Sequence, residues 1–257
     1  MILAFGCSTD LKSPNKELGE FRFPKIVNTF NSDTLKLFER NSIISNDPEI
    51  IGKYKFGETI SYNGERKLEE YSESDFLWEV KDPFNSDTLS SDGLQVIADY
   101  STTLAFKWFD YKIHLFFPVY IVNETIEPKI FFGKDGHGYA IQEAIDSSNY
   151  SQWHPIESIG YDFCGNGNFR KKINPGEFLM LLFPKYSGNL KTSMRIRFKI
   201  GQNLFISKPF TGYINSNQFK IAKNDWIERS LKESNGTACN WLFLGARPKE
   251  IDRFEKE

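Results

Sequence analysis

Apolar side chains recur at every second position through much of this chain, and that period of two limits the fold more than any other feature. Alternate residues of a strand share one face, so such spacing describes a half-buried ribbon rather than a helix. In the run Gly52–Tyr62, residues Tyr54, Phe56, Ile60 and Tyr62 share a parity, and Asn63-Gly64 follows as the pair that a tight hairpin turn favours. Phe109, Tyr111, Ile113, Leu115 and Phe117 alternate with Lys112 and His114, ahead of Pro118 and the apolar run Val119–Val122. Phe178–Phe183 is apolar without interruption, as in a strand covered on both faces. Met194, Ile196, Phe198 and Ile200 point inward between Arg195, Arg197 and Lys199. Asn174-Pro175-Gly176 and Gly201-Gln202-Asn203 mark turns beside these strands.

The spacing predicts a mainly-β protein, an antiparallel β-sandwich of the Ig-like or jelly-roll-like kind, with a short helical carboxy-terminal extension. The 24 phenylalanines agree, because aromatic residues favour pleated surfaces. Helix is expected only at Gln142–Ser147, at Asp225–Glu233 with Asn224 as its cap, and at Lys249–Glu257 after Pro248. The chain divides into a tether at 1–19, an amino-terminal β unit at 20–95, a sandwich at 96–222 and an extension at 223–257. That extension should pack Trp226, Ile227, Trp241, Phe243 and Leu244 onto the sandwich. Two β units or one shared core both fit the pattern. The hexapeptide Phe-Asn-Ser-Asp-Thr-Leu occurs at residues 30–35 and again at 84–89, too short an identity to establish a repeat.

A balance of 32 basic against 34 acidic residues, net charge -2, gives no long-range field for a phosphate backbone, so nucleic acid is not an expected partner. No stretch reaches the roughly 20 apolar residues of a membrane-crossing helix. Met1-Ile2-Leu3-Ala4-Phe5-Gly6-Cys7-Ser8 is instead a short apolar run ending in a small residue and a cysteine, followed by polar residues. It resembles the cleavage end of a bacterial lipoprotein signal peptide. Gly6 and Cys7 match that pattern, Ala4 stands at its aliphatic position, and the family's basic head has no counterpart here. The resemblance implies lipidation of Cys7, membrane attachment by that lipid, and a place in the cell envelope at the outer membrane or cell surface. The alternative is an apolar terminus with an incidental thiol.

Chemistry is sparse. The only histidines are His114, His137 and His154. His114 sits on the polar parity of its strand, as a solvated or cross-strand residue would. Lys134-Asp135-Gly136-His137-Gly138 is a glycine turn from which Asp135 and His137 project, with Glu143 and Asp146 downstream, but no metal-ligand spacing is present. Trp153-His154-Pro155-Ile156-Glu157 reads as a rigid corner. Asp135, His137, Trp153, His154 and Glu157 are therefore the candidate ligand-binding residues. Cys164, in a Gly-Asn-Gly-Asn loop, and Cys239 could pair as a disulfide or stand as two buried thiols.

No catalytic signature and no cofactor motif occur. The function expected is a non-catalytic, lipid-anchored binding protein of the cell envelope, with a glycan or envelope protein as ligand. The alternatives are an envelope or polysaccharide hydrolase using loop carboxylates or Cys164, and a structural or adhesive assembly subunit. Convergence of acidic and aromatic groups in one concavity would favour the hydrolase, and an exposed apolar patch or unpaired sheet edge the subunit.

Overall fold

The computed structural model describes residues 19–30, 35–64, 90–108, 112–146, 152–160 and 167–255. The first strands are β1 (Ile26–Asn28), β2 (Phe38–Glu39), β3 (Ile44–Ser45), β4 (Glu49–Lys55) and β5 (Ile60–Tyr62). The middle of the chain supplies β6 (Gln95–Ala98), β7 (Leu104–Lys107), β8 (Ile113–Val122), β9 (Lys129–Lys134), β10 (Tyr139–Asp146), β11 (Gln152–Pro155) and β12 (Glu157–Ser158). Then come β13 (Asn168–Ile173), β14 (Glu177–Pro184), β15 (Tyr186–Ser187), β16 (Leu190–Ile200), β17 (Asn203–Ile206) and β18 (Phe210–Ile214), followed by helices α1 (Trp226–Glu233) and α2 (Cys239–Leu242).

Two antiparallel sheets dominate. The first has the order β4-β14-β8-β6, with β7 also on β8; the second has the order β11-β10-β16-β17, with β18 also on β16. The uninterrupted run of β14 is explained by its central place, because all eight of its residues are buried. Leu179, Leu181 and Phe183 meet Ile196, Phe198 and Ile200 of β16 in the core between the sheets. Phe178, Met180 and Leu182 point the other way, into a second core with Phe38, Tyr54, Ile60, Tyr62 and Tyr120. Each such fully buried side chain contributes about 1.5–3 kcal/mol relative to an exposed one. The inward alternation of β16 is as the sequence predicts, with Met194, Ile196, Phe198 and Ile200 all at 0% exposure.

Outside the second sheet lies a third core, where Ile141 of β10 packs with Ile227 and Leu231 of α1 and with Leu242 and Phe243 at α2. Trp226 and Trp241 pack against it and Leu244 belongs to it. Asp225 is the cap of α1, its side-chain oxygen accepting the Trp226 N–H at 2.6 Å. The expected cap, Asn224, stands one residue earlier at φ 60°, and its N–H donates to Glu228 Oε2 at 2.7 Å. Among the described residues, no helix is long and apolar enough to cross a membrane.

Three sequence expectations are corrected. Gln142–Ser147 is not a helical turn: its described residues belong to β10, with Gln142 opposite Ile196 and Ala144 opposite Met194. The polar Gln142 and Glu143 are both buried there and conceal the strand's apolar alternation. Among the described residues beyond Pro248, one 3-10 turn forms, Ile251–Arg253. The run from Gly52 to Tyr62 is two strands, because Gly57 at φ 75° turns the chain where a residue with a Cβ would be strained. The second of them, β5, pairs in parallel with β1, while Tyr54, Phe56, Ile60 and Tyr62 still face one core. His114, expected as a solvated or cross-strand residue, lies opposite Phe106 of β7 and stacks on Phe38 with ring centroids 4.3 Å apart. Phe109, Tyr111 and the copy of the hexapeptide at 84–89 lie outside the described residues, as do Cys7 and Cys164.

Candidate functional site

Asp135 and Gly136 form the tip of the hairpin between β9 and β10. Both have positive φ, 49° and 84°, and Lys134 and His137 exchange two backbone hydrogen bonds across them, of 3.0 and 2.8 Å. This is the two-residue turn whose twist matches that of paired strands, so the Asp-Gly pair is first a folding signal. The Asp135 N–H donates to Gly167 O at 2.9 Å. The tip docks on the start of β4, where the Ile50 N–H donates to Gly136 O at 2.9 Å and the Gly138 N–H to Pro48 O at 3.1 Å. His137 is held between the carbonyl of Asp47, which accepts from Nδ1 at 3.2 Å, and Glu49, whose carboxylate is 3.7 Å from Nε2.

The same segment reaches Glu157. β3 runs parallel to β12, and Asn46 Nδ2 donates to Glu157 Oε1 at 3.3 Å. That oxygen also accepts from Gln142 Nε2 at 2.9 Å and from the Tyr186 hydroxyl at 2.5 Å, while Oε2 accepts the Gln142 N–H at 2.8 Å. Glu157 has no exposed surface. Burial pushes its carboxyl up to about 7, against the pull of these donors, which favour the ionised form. Next to it, burial lifts Asp47 from 3.8 to about 6, opposed by the Gly160 N–H that donates to Oδ1 at 2.9 Å. A Cβ at residue 160 would sit 2.3 Å from Asp47 Oδ2, so any side chain there would displace this carboxylate.

Trp153 and His154 belong to β11, on opposite faces of the second sheet. The Trp153 ring carries the Arg195 guanidinium 4.2 Å from its centroid, and Arg195 in turn is 2.6 Å from the buried carboxylate of Glu143. Arg197 approaches the other oxygen of Glu143 at 3.1 Å. His154 is buried, with Nδ1 donating to Arg247 O at 3.0 Å and its ring edge-on to Phe219. Asp146, the other carboxylate considered beside His137, pairs with Lys249 at 2.5 Å. Among the described residues, no group of three or more His, Cys, Asp or Glu is placed to hold a metal ion. Cys239 is a buried thiol, and burial pushes it up to about 11, while Cys164, the cysteine with which it could pair, lies outside the described residues.

His137 and Glu157 are thus brought onto one segment, 44–50, whereas Trp153 and His154 are engaged elsewhere. Sequence reasoning missed Asn46, Asp47 and Glu49, although Asn-Asp-Pro is a turn signal. It also missed a concave surface. A cleft of about 520 Å³ opens where β4 meets the turn between β13 and β14, and it is lined by none of the five candidates. Its basic residues are Lys53 and Lys55 of β4 with Lys171 and Lys172 of β13. Its acidic residues serve local turns: Glu58 accepts the Lys55 N–H at 3.0 Å, and Glu177 accepts the Asn174 N–H and side-chain amide at 2.9 and 3.0 Å. Burial opposes ionisation of Glu177, but the Asn174 donors and Lys53, 3.3 Å away, outweigh it and hold the carboxyl below its usual range. Comparison of the chain with protein-family models, with curated proteins and with solved structures found no match.

Proposed function

We propose that the chain is a non-catalytic binding protein of the cell envelope, tethered through a lipid on Cys7, with a glycan or an envelope protein as its ligand. One observation carries the binding reading: the acid and base candidates are engaged inside the fold, whereas the cleft is lined by other residues. A general acid must reach the leaving group of its substrate. Glu157, with both oxygens occupied by internal donors and no exposed surface, does not offer that reach. Glu143 is likewise closed in by Arg195 and Arg197. This dispersal disfavours the hydrolase alternative.

The binding reading is tested on an array of envelope glycans and isolated envelope proteins, with product analysis of every hit. Retention of an intact ligand is expected; a cleaved product would overturn it. The anchor is tested separately by labelling cells with a palmitate analogue. Label should enter the wild-type chain and be lost in Cys7→Ala, and label retained in the variant would refute attachment there.

A structural or adhesive subunit is favoured by one feature of the second sheet. β17 is a terminal strand in the sheet order, and Leu204 and Ile206 on it are 48% and 42% exposed. Such an edge can pair with another chain. Concentration-dependent assembly that Ile206→Lys abolishes would support this role, and a strictly monomeric chain would exclude it.

A further inference from the structure

We infer that the cleft between β4 and the β13–β14 turn binds an acidic glycan, whose carboxylate, sulfate or phosphate groups meet Lys55 and Lys172. The inference rests on the binding reading above and names its ligand class and its site. Four lysines and two glutamates line the cleft. Both carboxylates are committed to the turns that shape it, Glu58 to the β4 end and Glu177 to Asn174 and Lys53. Lys53 is committed too, donating to Lys172 O at 3.3 Å, and Lys171 is buried. Lys55 and Lys172 are exposed, and their ammonium groups have no ion pair among the described residues. The positive charge open to solvent and ligand in the cleft therefore sits on Lys55 and Lys172.

The size and the surrounding charge select the ligand. A cleft of about 520 Å³ falls within the roughly 300–1,000 Å³ typical of small-ligand sites, enough for a few sugar units. A folded protein partner would instead need roughly 800 Å² of matching surface. A chain of net charge -2 does not attract a nucleic-acid backbone from a distance, so this local positive charge suits discrete anionic groups met at close range. Tyr54 walls the cleft but is only 2% exposed. It offers an apolar boundary rather than a stacking platform, which leaves recognition to the lysines.

The test is isothermal titration of the full chain with three probes: a heparin oligosaccharide, an oligogalacturonate and dextran. These carry sulfates, carboxylates and no charge respectively. The double variant Lys55→Gln/Lys172→Gln is compared with Lys191→Gln/Lys208→Gln, two exposed lysines of the second sheet region. At least one acidic probe should bind and dextran should not. The cleft variant should bind about ten-fold more weakly, as expected from losing two charge-assisted contacts, with the control pair unchanged. Equal weakening in both variants would mean diffuse attraction and overturn the site. Binding unaffected by the cleft variant would overturn the site while leaving the binding reading intact, as would binding of dextran alone. Binding of none of the three would overturn the inference, and the array above then decides the reading independently.

Discussion

Two buried carboxyls carry a pH dependence whose sign is fixed by their direction of shift. In the unfolded chain Asp47 and Glu157 ionise near 3.8 and 4.5, whereas in the fold they keep their protons up to about 6 and about 7. Between those limits the folded chain binds more protons than the unfolded one. The stability these groups contribute is complete below their unfolded values and is lost as pH rises through 6 and 7. Asp47→Asn keeps an oxygen to accept from Gly160 and removes the ionisation. It should raise stability at pH 8 by about 1–3 kcal/mol and leave stability at pH 4 nearly unchanged. Urea midpoints across that range check this, and an identical pH slope in wild type and variant would refute it. Tyr186→Phe removes one donor from Glu157 and should push that carboxyl further up, at a cost of about 1–3 kcal/mol. The loss should be larger at pH 8 than at pH 5, because the missing hydrogen bond favoured the ionised form; NMR titration of the carboxyl carbon reports the shift directly.

At the scale of elements, stability should track the layers. Phe183→Ala on β14 should cost about 3–5 kcal/mol in denaturant unfolding, since the side chain lies between the sheets at 0% exposure. Leu204→Ala on the exposed face of β17 should stay within about 0.5 kcal/mol, and a comparable loss at both positions would contradict the layering. Asp225→Ala should cost about 1 kcal/mol through the lost cap of α1. What could be read from the sequence follows the same division. β14 and β16 declare themselves because their environments are apolar, on two faces and on one. β10 does not, because Gln142 hydrogen-bonds to Glu157 and the Pro184 carbonyl while Glu143 pairs with arginines, so two buried positions carry polar residues. The Asp135-Gly136 hairpin was visible as a turn, but its docking on segment 44–50 depends on contacts far apart in sequence. The cleft is hidden for the same reason: Lys53 and Lys55 are ordinary polar-face residues of β4 until the β13–β14 turn brings Lys171 and Lys172 beside them.

At the scale of the whole molecule, two buried carboxylates, Glu157 and Glu143, join layers. Glu157 links β12 to β3, β10 and β15, and Glu143 ties β10 to β16. A chain that uses its carboxyls this way presents a packed body, and its lysine cleft lies apart from them. The central claim is recognition at that cleft without turnover. Its most direct test is an NMR titration of the labelled full chain with an acidic oligosaccharide, following protein amides and sugar signals together. Shifts are expected to cluster at Lys55, Glu58, Lys172 and Glu177, with the sugar spectrum unchanged over days. Shifts centred on Asp47, His137 and Glu157, or new reducing-end signals growing with time, would contradict it.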